Sequence, residues 1–228
     1  LEIIRSYFDP LKKKFCWGTN PYYYLAGKYS IHPSYIQKMI SDPRYSSSDL
    51  LAVISHLRNL GGGKFNSAVI EEARTFYTGK PIGNWNPKTS ILGREVLLIG
   101  TGPNASKHSK ALEEYIKKAK PVVMVLNTQT AINPDLIDYR VACHPIRLLA
   151  DNKLHLKLPQ PLIIPLSMLP DPVRNKLSGK DIFDFGMSVQ KGKFSFNKTH
   201  CITPNSLVIS YALAIITSGQ ASRILMAG

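Results

Sequence analysis

The chain has 228 residues, a mass of 25.4 kDa and 44% apolar residues, enough for one large or two small domains with a real core. Its three cysteines, Cys16, Cys143 and Cys201, have neither metal-type spacing nor an even count, which argues against a disulfide scaffold and for a reducing compartment. The longest apolar run, Leu207 to Ile216, is too short to span a bilayer and no N-terminal signal pattern is present, so the expected location is the cytoplasm, with no membrane partner.

The formal net charge is +14, with 11 basic residues against 6 acidic up to Lys80 and 18 against 9 from Pro81 on. Such a balance suits anionic partners: nucleotides, phosphosugars, acidic protein surfaces or nucleic acid. Apart from Lys12-Lys13-Lys14 and Lys117-Lys118 the lysines are scattered, and no aromatic-basic motif stands out. Nucleic acid is therefore not an expected partner.

In chain order, Leu1 to Phe8 reads as the tail of an amphipathic helix, and Arg223 to Gly228 as a strand ending in glycine. Both ends read as cut, so the expectation is a segment of a longer protein. Residues 1–82 read as a helical segment. Pro21 opens a helix at Tyr22, His32-Pro33 breaks the chain, and Ser46 with Asp49 makes a capping-box-like start for a helix closed by Gly61-Gly62-Gly63. The aromatic cluster Trp17, Tyr22, Tyr23, Tyr24, Tyr29 and Tyr35 is expected to pack this segment, or to dock it on another domain or a second subunit. The turn-rich stretch 83–90 reads as a linker, and 91–228 as a second domain.

That second domain opens on EVLLIGTGPN, Glu95 to Asn104. Four bulky apolar residues without polar alternation suit a strand buried on both faces, the habit of a parallel sheet. Gly100 and Gly102 permit a tight turn and a close backbone approach to a ligand, and Asn104 can cap the following helix, whose first N–H groups favour an anion. Ala105, Ala111, Leu112, Tyr115, Ile116 and Ala119 form one helical stripe. The turn is neither a full G-x-G-x-x-G fingerprint nor a P-loop. It reads as a phosphate cradle made of Gly100, Thr101, Gly102, Pro103 and Asn104.

Further strands are expected at Pro121 to Leu126, Ile137 to Ala142, Leu162 to Leu166 and Ile224 to Ala227, with short helices from Ile146 to Ala150 and a buried one from Asn205 to Ser218. Asp181 to Val189 and Lys193 to Asn197 are expected to form a hairpin around Gly192. Asn127, Thr128 and Gln129 end the second strand, where base or ribose contacts belong. Thr203, Asn205 and Ser206 open the late helix as caps or ligand contacts. Arg140 and Arg147 bracket the third strand's end as anion partners or surface residues. His144 is a weak acid/base candidate, and neither Cys143 nor the pair Asp181 and Asp184 makes a convincing nucleophile or metal site.

Two family resemblances are carried by these residues. The run from Cys16 to Ile40, with its Trp-Gly, Pro-Tyr and His-Pro-x-Tyr pattern, resembles the segment after the catalytic barrel in aldolases of the 4-hydroxy-2-oxovalerate aldolase / HMG-CoA-lyase-like superfamily. That resemblance implies a lyase whose divalent metal sits in a barrel not contained here, since no His-x-His occurs, and it makes that barrel a partner. Residues 91–228 resemble the Rossmann-like domains of the 6-hydroxymethylpterin diphosphokinase-like and motility-accessory, sialyltransferase-like families, on Gly100 to Asn104, Asn127, Thr203 to Ser206 and Ile224 to Gly228. It implies a nucleotide or nucleotide-sugar ligand such as CMP. The fold class expected is α/β: a helical segment followed by a Rossmann-like, mostly parallel sheet flanked by helices. The function expected is a fragment of a 4-hydroxy-2-oxovalerate aldolase-like lyase that lacks the catalytic barrel and carries a nucleotide- or nucleotide-sugar-binding domain, with a non-catalytic regulatory or docking module of the aldolase, or a sialyltransferase-like glycosyl or phosphoryl transferase domain, as alternatives.

Overall fold

In the computed structural model the chain divides into two compact units, Leu1–Phe76 and Tyr77–Gly228. The residues described are 77, 79–144, 147–148, 151–169, 171–205 and 207–228. The helical segment, its aromatic cluster and the aldolase-like run therefore lie outside the described residues, as does Ser206.

The second unit is α/β. Six parallel strands form one sheet: β1 (Glu95–Ile99), β2 (Val122–Leu126), β3 (Tyr139–Val141), β4 (Leu162–Ile164), β5 (Ile182–Asp184) and β9 (Arg223–Ala227), in the order β5-β4-β3-β2-β1-β9. The helices are α1 (Lys88–Ile91), α2 (Pro103–Lys107), α3 (Ser109–Ala119), α4 (Asn152–Lys157), α5 (Asp171–Lys176) and α6 (Val208–Ser218). Three more strands, β6 (Gly186–Val189), β7 (Ser195–Phe196) and β8 (His200–Thr203), make a small sheet in the order β6-β8-β7. The architecture is Rossmann-like.

The unalternating apolar runs become the central strands because a parallel sheet is covered on both faces. Leu97, Ile99, Val123 and Val125 pack on one face against Ala105 and Ile116, with Leu112, Tyr115 and Leu225 joining the cluster. The alternate residues Val96, Leu98, Val122 and Met124 are equally buried on the other face, and α6 is in contact with β2. The stripe expected on one long helix is shared between α2 and α3, which break at His108.

Three local expectations are corrected. Asp181 to Val189 is not one strand: Ile182–Asp184 joins the main sheet beside β4, and Gly186–Val189 leaves it. The hairpin partner of Ser195–Phe196 is β8, so the antiparallel turn runs through Asn197, Lys198 and Thr199 and not around Gly192. The stretch 83–90, read as a linker, packs onto the sheet. The Asn84 and Trp85 N–H groups both donate to the Asp184 carbonyl at 3.0 Å, and the Trp85 ring lies 5.0 Å from Phe183. Gly83 passes so close to β6 that a Cβ there would sit 2.3 Å from the Gly186 nitrogen and 2.5 Å from the Thr199 oxygen. Among the described residues, no helix is long and apolar enough to cross a membrane.

At the amino-terminal end of the sheet, Glu95 of β1 accepts hydrogen bonds from Arg223 of β9, at 2.5 Å, and from the Tyr115 hydroxyl of α3. These bonds hold the Glu95 carboxyl below its ordinary 4.5, the Tyr115 hydroxyl first and Arg223 after it. A lowered carboxyl pKa adds stability above the unfolded-state value, and that stability is lost as pH falls through the folded one. The stability difference between wild type and Glu95→Gln should thus be full above pH 4.5 and shrink below it, in urea titrations across pH 3 to 7. Gly83→Ala should cost about 1–3 kcal/mol by overpacking. Gly79→Ala, whose Cβ would meet nothing within 4 Å, should stay within about 0.5 kcal/mol of wild type in the same urea assay.

Candidate functional site

The chain leaves β1 toward β2 and steps outward to β5, then returns to pair β9 on the other side of β1. That reversal makes the carboxyl ends of β1 and β9 a topological switch point, the place where open α/β sheets hold their ligands.

The turn after β1 builds one wall. The Gly100 N–H donates to the Ala227 carbonyl at 2.7 Å, and a Cβ on Gly102 would lie 2.6 Å from the Gly228 carbonyl carbon. What comes close to these two glycines is therefore the end of β9. Gly102, extended at φ −71° and ψ 161°, occupies the helix N-cap, with Pro103 in the first turn. Asn104 is not the cap expected: it is a helical residue, exposed like Thr101, and Lys107 is exposed in the last turn of α2. The expected cap fails because Pro103, with its fixed φ and missing N–H, starts the helix one residue before Asn104.

The loop after β2 forms the second wall. Asn127 is buried with a left-handed φ of 53°, and its N–H donates to the Val141 carbonyl at 2.8 Å. Gln129 reaches across to the first turn, its Nε2 donating to the Gly100 carbonyl at 2.6 Å. Its Oε1 accepts from the N–H groups of Thr130 and Ala131, at 2.6 and 2.7 Å. Thr128 lies between them, half-buried. Asn127 and Gln129 are thus engaged in shaping the crevice, and Gln129 joins the two sequence-predicted stretches.

Beneath this loop lies a residue whose role the sequence did not disclose. Arg140 is fully buried on β3, where a surface position was one of its two expected settings. Its Nε donates to Gln160 Oε1 at 2.8 Å and its Nη1 to the Gln129 carbonyl at 2.7 Å, while Gln160 Nε2 donates to the Pro134 carbonyl at 2.7 Å. Burial lowers its pKa to about 10, so it remains charged at neutral pH. Arg147 pairs instead with Asp151 at 3.5 Å, one helical turn on.

His155 on α4 escaped the sequence reading altogether. It is fully buried, and its pKa falls to about 3, through burial first and then the charges of Arg140, Lys180 and Arg147. The signal was its spacing: Leu148, Asn152 and His155 recur at helical intervals and are all buried.

His144 is half-buried just past β3. Cys143 beside it is fully buried, its carbonyl accepts the Tyr77 hydroxyl, and burial pushes its thiol pKa up, which removes it as a nucleophile. The Thr203 hydroxyl donates to the Asn205 carbonyl at 2.7 Å. Asn205 Oδ1 accepts from the Leu207 N–H at 3.1 Å and the Ser210 hydroxyl at 2.9 Å, so both residues shape the entry to α6. Asp184 is buried and accepts from Ser167 Oγ at 2.5 Å, whereas Asp181 is exposed. No group of three metal-ligating side chains occurs among the described residues.

Comparison with known proteins finds no matching family model and no matching curated protein. The resemblances of residues 16–40 and 91–228 gain no support from it.

The neutral, buried His155 predicts a pH dependence in a defined window. Between its folded pKa of about 3 and its ordinary 6.5 the unfolded chain binds the extra proton, so stability falls as pH drops through that range. The slope contributed is at most about 1.4 kcal/mol per pH unit. His155→Leu should flatten the unfolding free energy between pH 4.5 and 6.5, measured by urea titration, and leave the curve above pH 7 parallel to wild type.

Proposed function

We propose that the unit Tyr77–Gly228 binds a nucleotide or nucleotide sugar at the carboxyl ends of β1 and β9, its phosphate on the turn from Gly100 to Asn104. The observation that supports this most is the reversal of strand order at β1, since ligands of open α/β sheets gather at such switch points and the glycine turn lies at this one. The donors offered there are the Thr101 hydroxyl, the Asn104 amide and the early N–H groups of α2, with Lys107 adding positive charge. Gln129 and Arg140 hold the opposite wall in place from behind. The role is binding and orientation; no side chain of the described crevice is assigned a catalytic step. In a parent related to metal-dependent aldolases, such a unit would serve as a ligand-reading module beside a catalytic barrel that supplies the metal.

Thermal unfolding against CMP, CDP, UDP, GDP, ATP and NAD tests the proposal. A ligand present at a hundred times its dissociation constant stabilises the folded state by about 2.7 kcal/mol. One of the six should raise the melting temperature, and Thr101→Glu or Asn104→Glu should abolish that rise. Both positions are exposed, so the ligand-free unfolding free energy should stay within about 0.5 kcal/mol of wild type. A rise that survives both substitutions, or no rise with any nucleotide, overturns the proposal.

A further inference from the structure

The small sheet has a feature that the nucleotide crevice does not use. Residues 185–228 contain no aspartate or glutamate, yet they carry Lys191, Lys193, Lys198 and Arg223. Within that stretch Phe194 and Phe196 are 47% and 45% exposed, two residues apart, with ring centroids 6.3 Å apart at 67°. The second ring belongs to β7, the outer strand of the sheet, which pairs with β8. Two adjacent exposed rings among lysines differ from the singly scattered apolar side chains usual on a surface.

Phe196 also borders a groove of about 590 Å³, lined by Asn86, Lys88, Asn197, Lys198 and Gln220 among others. The groove lies at the amino-terminal end of the main sheet, because α1 feeds β1 there and the turn after α6 feeds β9. It is therefore at the other end of the sheet from the glycine turn. Its lining contains no carboxylate. Asn86 Oδ1 already accepts from the Lys88 N–H at 3.3 Å, and Asn197 Oδ1 from the Lys198 N–H at 2.6 Å. Each amide keeps its N–H donors and one further lone pair on its oxygen for a ligand. A π face, two ammonium groups and amide donors meet along one groove.

We propose that this groove and the exposed Phe194–Phe196 pair bind single-stranded nucleic acid. Bases stack on the two rings, and the phosphates follow Lys88, Lys193 and Lys198. A ring-free polyanion would leave the phenylalanines without a use, and a lone nucleotide would engage only one ring. A duplex hides the base faces that the rings are placed to take. The sequence reading placed this stretch in a hairpin around Gly192, so the alternation of lysine and phenylalanine in KGKFSFNK went unread as a basic-aromatic motif.

Fluorescence anisotropy with the full chain and a labelled twelve-nucleotide oligo-uridine tests the proposal. Duplex RNA of the same length, heparin, UMP and phosphatidylserine-containing vesicles serve as the other arms. The single strand should bind more tightly than the duplex, with log K falling against log salt at a slope of about −2 for three neutralised phosphates. Phe196→Ala and Phe194→Ala should each weaken binding about tenfold at an unchanged salt slope. Phe196→Trp should restore it, and Lys198→Ala should reduce the slope by about 0.7. All three side chains are exposed, and an unchanged melting temperature confirms that the variants fold. Equal binding of heparin with no effect of the phenylalanine substitutions overturns the proposal, as does binding of UMP or of vesicles in place of the oligonucleotide.

Discussion

The pairing of β1 with β9 is the constraint on which the rest of the second unit depends. It joins Glu95 to Arg223, 128 residues apart, and so encloses nearly the whole unit in one chain closure. Without it β1 would be an edge strand, and its unalternating apolar residues would have one unpaired side. The two ends of this pairing are secured by different physics. At the amino-terminal end a carboxylate, a guanidinium and a phenol interlock; at the carboxyl end the backbones themselves touch, at Gly100, Gly102 and Gly228. Side chains larger than hydrogen at the second end would push β9 away from the turn, and the crevice would lose its shape.

A second dependence runs through Arg140. Burying a guanidinium costs free energy unless its donors are met; here Nε is met by the Gln160 side chain and Nη1 by carbonyls of the loop after β2, while Nη2 is buried without a partner among the described residues. That arrangement explains how an irregular loop can stand at fixed height over the sheet edge. Burial first, and then the positive charges of Arg140, Lys180 and Arg147, keeps His155 neutral.

The main sheet was legible because its strands obey one rule. Val96 to Ile99 and Val122 to Leu126 are apolar without alternation, and such runs bounded by glycine or polar residues suit parallel strands covered on both faces. Where strands shorten to two, three or four residues, the same rule says little: nothing in Ile182–Asp184 or Gly186–Val189 reveals that a chain will change sheets between them. The change follows from the close passage of Gly83 and Gly186, a contact between segments about a hundred residues apart, which periodicity cannot register. The N-cap was misjudged by two residues for a local reason, since the preference for asparagine as a cap is weaker than the demand of Pro103 for the first turn.

The candidate site was legible as a place and less so as a set of roles. A polar residue after a buried strand can serve a ligand or the fold, and the sequence shows the same letter for both. Hydrogen-bond accounting separates them. Asn127, Gln129, Thr203 and Asn205 already have partners that fix turns and helix entry, whereas Thr101 and Asn104 stand exposed at the start of α2. The same accounting applies at the opposite end of the sheet, where the oxygens of Asn86 and Asn197 each accept one local bond and their N–H groups stay available to a ligand. Both ends thus present hydrogen-bond donors, on a chain whose net charge is +14. The two differ in what accompanies the donors. A tight backbone turn suits one compact phosphate, and an exposed pair of rings suits a run of bases, so the chemistry of each end argues for a different form of the same class of anion.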